Sequence, residues 1–208
     1  MKAVSLISGG IDSAVSSCKF LKKGFELVFV HFHQQSEIGR QNKVVEIVRH
    51  LRKFGNVSKL YMVPFKDIQK EIIMHVPGDL RMLVYRRMML RIAEKILHDE
   101  NASAFITGDS LGQVASQTVE NLSSVYSVTP HPIFTPLLGE DKKDIMKIAR
   151  EIETYELSIL PYEDCCSFLI SPHPETRSTM EEIKDAEKSL DVERLAVEGY
   201  KNAKLVDL

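Results

Sequence analysis

The chain has 208 residues, 44% of them hydrophobic and 27% charged, with a formal net charge of −2. That length suits one domain, or one with a small appendage, and the composition excludes a disordered, collagen-like or linker chain. No apolar run approaches the roughly 20 residues of a membrane span, and three cysteines without a secretory signal pattern predict a reducing, cytoplasmic setting rather than a disulfide scaffold.

Taken in chain order, residues 2–7 read as a buried strand that ends at Ser8-Gly9-Gly10. Residues 12–23 follow as a helix, with Ala14, Val15, Cys18 and Leu21 at helical spacing and Gly24 as its stop. Cys18 on that apolar face reads as core. Residues 27–32 are a second strand, 40–54 a helix, and 59–63 a third strand stopped by Pro64. Two helices are predicted over 66–75 and 80–98, then a fourth strand over 104–107 closed by Gly108. A short helix over 112–122 would put Gln113 and Gln117 on one face. Pro130, Pro132 and Pro136 make 129–139 mostly loop, 142–153 is helical, and 160–174 is irregular. Ser178 with Glu181 reads as a capping box opening a final helical region.

Strands alternating with helices imply an α/β fold: a parallel sheet with helices on both faces. Such sheets bind ligands beyond the carboxyl ends of their strands. The polar residues of interest fall there: Ser8–Ser13 after the first strand, His31–Gln35 after the second, and Thr107–Gln113 after the fourth. In Ser8-Gly9-Gly10-Ile11-Asp12-Ser13, two glycines permit a sharp turn, the following helix offers its N-terminus, and two hydroxyls can donate, which together make an anion cradle. The loop lacks the Gly-Lys-Ser/Thr ending of a Walker loop and the Gly-x-Gly-x-x-Gly of a dinucleotide fold. Asp12 would orient a loop N–H or help hold Mg2+. Asp109 and Gln117 stand at the mouth of the predicted cleft, to contact a nucleotide or activated base, or else to cap a helix and face solvent. Arg87 or Arg86 would support a triphosphate, or pair with an acidic neighbour.

The loop SGGIDS resembles the pyrophosphate loop of the PP-loop ATP pyrophosphatases. Residues 85–93 (YRRMMLRIA), 107–117 (TGDSLGQVASQ), 141–145 (DKKDI) and 161–166 (PYEDCC) resemble, in the same order, the catalytic domain of the tRNA 4-thiouridine synthetase family, also linked to thiamine biosynthesis. The resemblance implies a Rossmann-like, adenine nucleotide alpha hydrolase-like domain over 1–174, with 175–208 as a helical extension packed on it. It also implies an ATP- and Mg2+-dependent sulfurtransferase that adenylates a uridine of tRNA, releases pyrophosphate and inserts sulfur through a cysteine persulfide. Lys142 matches the family's functional lysine, and His31 and Phe32 stand at the strand end that the family uses for adenine. Gly108 joins them as a nucleotide-binding position, and no metal ligand set is expected in the chain itself. Alignment favours Cys166 as the sulfur carrier, with Cys165 one residue away.

The chain starts at the catalytic domain's first strand, so the family's THUMP region and rhodanese domain are expected to be absent. tRNA would then come directly or through a separate RNA-binding protein, and sulfur from a cysteine desulfurase or free sulfide. The resemblance also implies a homodimer. Residues 40–95 carry thirteen Lys/Arg against five Asp/Glu, so Arg40, Lys43, Arg49, Arg52 and Lys53 offer a candidate RNA face, the alternative being solvated helix charge. Two other functions fit the motifs: an adenylating enzyme or amide ligase acting on a small molecule or sulfur-carrier protein, and a nucleotide-sensing module without catalysis.

Overall fold

The computed structural model describes residues 1–34, 42–161, 171 and 173–208. In chain order the elements are β1 (Lys2–Leu6), α1 (Ile11–Leu21), β2 (Glu26–His33), α2 (Asn42–Leu51), β3 (Val57–Pro64), α3 (Lys66–His75), α4 (Arg81–Asp99), β4 (Phe105–Ile106), α5 (Val119–Tyr126), β5 (Ile133–Phe134), α6 (Lys142–Glu151), α7 (Tyr155–Ser158), α8 (Met180–Glu187), α9 (Val192–Lys201) and β6 (Lys204–Val206). No helix among the described residues is long and apolar enough to cross a membrane.

The strands form one sheet in the order β5-β4-β1-β2-β3-β6. All neighbouring pairs are parallel except β3 with β6. Side chains alternate along each strand, so each face of the sheet carries its own core. Val4, Val28, Val30, Tyr61 and Val63 pack with α3, α4, α8 and α9 on one face. Ala3, Leu27, Phe29, Leu60 and Met62 pack with α1, α2 and α6 on the other. Cys18 is buried in this second core, as read, and burial pushes its thiol pKa up. From β1 the chain steps outward to β2 and β3, then crosses back to place β4 on the other side of β1. The strand order therefore reverses between β1 and β4, which opens a crevice at their carboxyl ends.

The structure departs from the sequence reading in three places. The segment 112–122 is not one helix: residues Ala115–Gln117 form a 3-10 turn, and α5 begins after Thr118, whose side chain accepts from the Asn121 amide. Gln113 and Gln117 consequently do not share a helical face. Residues 129–139 are mostly loop, as read, with the two-residue β5 set between Pro132 and Pro136. The capping box lies one residue on, between Thr179 and Glu182, because Ser-Thr-Met-Glu-Glu satisfies the same spacing in two registers. Ser178 instead donates to the Asn121 side chain at 2.6 Å. Finally, residues 175–208 are more than a helical extension, because β6 joins the sheet antiparallel to β3.

Candidate active site

A cavity of about 460 Å³ fills the crevice between β1 and β4. Its polar lining comes from Ser8, Gly10, Asp12 and Ser13 of the first loop and from Thr107, Gly108 and Asp109 after β4. Its apolar lining comes from Leu6, Val30, Phe32, Met82 and Met89. A lining of both kinds can meet an anionic tail and a flat base, and the volume suits a nucleotide-sized ligand.

The loop is built from its own hydroxyls. Ser8 Oγ and Ser13 Oγ lie 3.1 Å apart, Ser13 Oγ donates to the Gly10 carbonyl at 3.1 Å, and the Gly10 amide donates to Ser8 Oγ at 3.2 Å. Gly10 is the N-cap of α1, and no side chain caps that helix. Its first N–H groups thus lack the acceptor that a Ser or Asp N-cap supplies, and they lie where an anion would be held. Gly9 has φ +84°, a conformation that an L side chain rarely adopts. Gly108 is required by closeness: a Cβ there would stand 2.6 Å from the Ser13 amide nitrogen and 2.8 Å from the Asp12 carbonyl carbon. Gly108 thereby lets the start of α1 press against the loop after β4.

Lys142 opens α6 and reaches back to this loop. Its Nζ donates to Asp12 Oδ1 and Oδ2 at 2.6 and 2.7 Å, and lies 3.4 Å from Gln113 Oε1. Residues 130 positions apart thus place a cation and a carboxylate together at the mouth of the cradle.

Asp109 is buried and heavily engaged. Arg86 donates to it at 2.7 Å, Thr107 at 2.8 Å and Gln117 at 3.0 Å, and Tyr126 donates through its hydroxyl. Burial alone would raise this carboxyl, but the Arg86 guanidinium and the hydrogen bonds from Tyr126, Thr107 and Gln117 hold it below its ordinary value. Burial and the Asp109 charge push the Tyr126 phenol up. This carboxylate fixes Arg86 and Gln117 in the cavity wall. Gln117 gives its amide N–H to Asp109, and its Oε1 is buried with no hydrogen-bond partner among the described residues. A lining residue therefore presents an acceptor for a ligand N–H.

His31 also lines the cavity, and its Nδ1 donates to the Ile7 carbonyl at 2.7 Å. A carbonyl only accepts, so the neutral ring carries its proton on Nδ1. Burial, with His33 stacked at 6.5 Å between ring centroids, lowers the His31 pKa to about 4 despite that bond. Folding thus keeps His31 neutral where the unfolded chain would protonate it. Its contribution is complete above the unfolded value of 6.5 and is lost as pH falls toward 4. The loss should total about 3 kcal/mol, measured as urea-unfolding stability against pH, and His31→Gln should remove that slope. An unchanged slope would mean that His31 is not held neutral.

Of the residues singled out by sequence, Ser8, Gly10, Asp12, Ser13, His31, Phe32, Gly108, Asp109 and Gln117 meet at this cavity. Gly9 and Ile11 act behind it, Gly9 in the turn and Ile11 packed against the second core. Arg87 is elsewhere. It is buried on α4, donating to Glu187 at 2.9 Å through Nε and again through a terminal nitrogen, and to the Ser124 carbonyl. It is a structural clamp between α4, α8 and α5, and the cavity takes Arg86 instead. Of the cations read as an RNA face, Lys43 donates to the Ser158 and Leu160 carbonyls, Arg49 pairs with Glu46, Arg52 donates to the Leu208 carbonyl, and Lys53 lies 3.8 Å from Glu153. Arg49 and Lys53 remain largely exposed, and the carbonyl contacts of Lys43 and Arg52 leave their charge in place. Arg40, Cys165 and Cys166 lie outside the described residues. The sequence reading missed Met82 and Met89, although Met82, Arg86 and Met89 recur at i, i+4 and i+7 and so mark the helix face that lines the site.

A family model described as Thiamine biosynthesis protein (ThiI) matches residues 1–192. The chain belongs to the ThiI family. Its similarity to individual ThiI-family proteins runs the length of the chain. It is 43% identical over 195 residues to a protein of Caldanaerobacter subterraneus subsp. tengcongensis named Probable tRNA sulfurtransferase, covering 93% of this chain and 51% of that one. A protein of the same name from Thermus thermophilus is 42% identical over 207 residues, covering 99% and 51%. Among solved structures, a 4-thiouridine synthetase–RNA complex with bound ATP superposes with a TM-score of 0.92 at 42% identity, covering 99% of this chain and 54% of that one. The chain thus spans about half the length of the relatives it matches.

Proposed function

We propose that this chain binds ATP in the crevice and adenylates O4 of a uridine in tRNA, preparing C4 for sulfur. The observation that carries this reading is the uncapped N-terminus of α1. It opens on a nucleotide-sized cavity, beside the Lys142–Asp12 pair and Arg86. The ATP-bound relative at 42% identity supports the same ligand.

The base would lie against Phe32 and Met82, and the phosphates on the loop 8–13. Uridine O4 attacks the α-phosphorus, the bond to the β-phosphate oxygen breaks, and pyrophosphate leaves with the electron pair. Loss of the N3 proton to solvent leaves the pyrimidine ring of the O4 adenylate uncharged, its phosphodiester still anionic. Loop amides and Lys142 stabilise charge on the phosphoryl oxygens, so catalysis is mainly positioning and electrostatics. Mg2+ on the triphosphate would add charge neutralisation, and Asp12 is the loop carboxylate suited to hold it. In the second stage a persulfide on Cys166, or on Cys165, attacks C4 and AMP departs with O4. A second thiol then cleaves the S–S bond, leaving 4-thiouridine and a disulfide that an external reductant resets. The tRNA would be positioned by a separate RNA-binding region or protein; a desulfurase would pass persulfide-level sulfur to the cysteine, whereas free sulfide would attack C4 of the adenylate directly, without the cysteine persulfide.

Pyrophosphate release and thiolated product, followed in parallel, test this. Release should rise sharply when unmodified tRNA is added. Cys166→Ser should keep adenylation and lose sulfur transfer, Cys165→Ser should be intermediate, and Cys18→Ser should keep both. Release that ignores RNA but responds to a small acid or a carrier protein would overturn the tRNA assignment. Thiolation by free sulfide in Cys165→Ser/Cys166→Ser would show that sulfide itself attacks the adenylate.

A further inference from the structure

We propose that Glu94, His98 and His131 form a binding site for a divalent transition-metal ion of the zinc class, at the opposite end of the strands from the nucleotide cavity. Glu94 and His98 stand four apart on α4 and share a face. His131 arrives from the loop entering β5, and one ligand atom from each of the three lies within 4.8 Å of the others. His131 directly precedes Pro132, whose carbonyl accepts from Phe105 of β4, so the cluster sits at the N-terminal ends of β4 and β5.

The residues are held as a metal's ligands are held. Thr129 Oγ1 donates to Glu94 Oε1 at 2.6 Å and accepts from the His131 amide at 3.3 Å, tying the carboxylate to the loop that carries the imidazole. Such outer contacts orient ligands for a metal. The His98 and His131 rings meet edge to face at 5.1 Å, and Phe105 packs against His131 at 6.3 Å. Among the described residues Glu94 has no Lys or Arg ion-pair partner, and its Oε1 lies 3.9 Å from His131 Nε2. Two imidazoles and one carboxylate are a donor set for Zn2+, with a fourth position left for water. Zinc bonds of about 2.0–2.2 Å require ligand atoms to close to roughly 3.4 Å, which side-chain rotation supplies. The ion would join the end of α4 to the loop entering β5, stapling together the two segments that bracket β4.

The test uses the full chain carrying Cys165→Ser/Cys166→Ser, so that thiolates do not compete, stripped with chelator and titrated near neutral pH. Zn2+ by calorimetry and Co2+ by its visible absorption should each show one saturable equivalent, and Zn2+ should raise the melting temperature in proportion to occupancy. His98→Ala and His131→Ala should each weaken binding by more than about tenfold, Thr129→Val by about 10- to 100-fold, and His75→Ala not at all. His98 is exposed, so its variant separates lost ligation from lost folding, with the metal-free melting temperature as the check. No saturable binding, or binding that survives both histidine substitutions, overturns the proposal.

Discussion

Lys142→Ala is expected to cut pyrophosphate release by about 10²–10³-fold and to leave the protein folded. The pair it makes with Asp12 is short but partly solvated, with side chains 44% and 26% exposed. A pair of that exposure contributes about 0–1 kcal/mol to stability, so the melting temperature should move by less than about 3 °C. Asp12→Ala should behave alike. If both groups serve the same phosphate end, the double variant should be little worse than either single one. Turnover at the wild-type rate in Lys142→Ala would reduce the residue to a surface contact of α6.

The largest loss of stability is expected at Glu187. Its carboxylate accepts from Arg87 at 2.9 Å and from Arg91 at 2.6 Å. Burial would raise its pKa, but the two guanidiniums hold it below the ordinary value. Glu187→Ala leaves the Arg87 charge, only 4% exposed, without a carboxylate, and should cost about 3–5 kcal/mol in urea denaturation. Arg87→Met should cost less, because Arg91 still answers Glu187. Arg87→Met should also leave ATP turnover intact at temperatures where it is folded. A turnover defect there would move this guanidinium back beside the triphosphate.

What could be read from sequence followed the physics of local signals. Buried strands and long amphipathic helices announce themselves by period, so the readings of β1, β2 and α3 agree with the structure within a residue at each end, while β3 extends beyond the reading at both ends. The loop 8–13 was legible because glycines between a strand and a helix have few other uses. β5 and β6, with two and three residues, are too short to show a period, and tertiary pairing alone defines them. Arg86 and Arg87 are neighbours about 100° apart around α4, so adjacency could not say which meets the cavity, and the apolar Met82 and Met89 on Arg86's face could. The partner that claims Arg87 is Glu187, 100 positions away, a pairing that no local pattern reveals. Likewise, Asp109 reads from sequence as a ligand contact or a helix cap, whereas Tyr126 and Arg86 arrive from α5 and α4 to bond it.

The last three-residue strand has a consequence for synthesis and solubility. β3 is eight residues long, and without β6 its outer rim would present unpaired backbone groups to any passing strand. β6 covers Leu60–Met62, and Arg49 and Arg52 of the α2 region donate to the carbonyls of Asp207 and Leu208 just beyond it. A nascent chain can pair β1, β2 and β3 long before residues 204–206 leave the ribosome, so for most of its translation it carries a sticky margin. Lesions that loosen the C-terminal segment should therefore appear first as self-association, before any change in how the crevice handles its ligand.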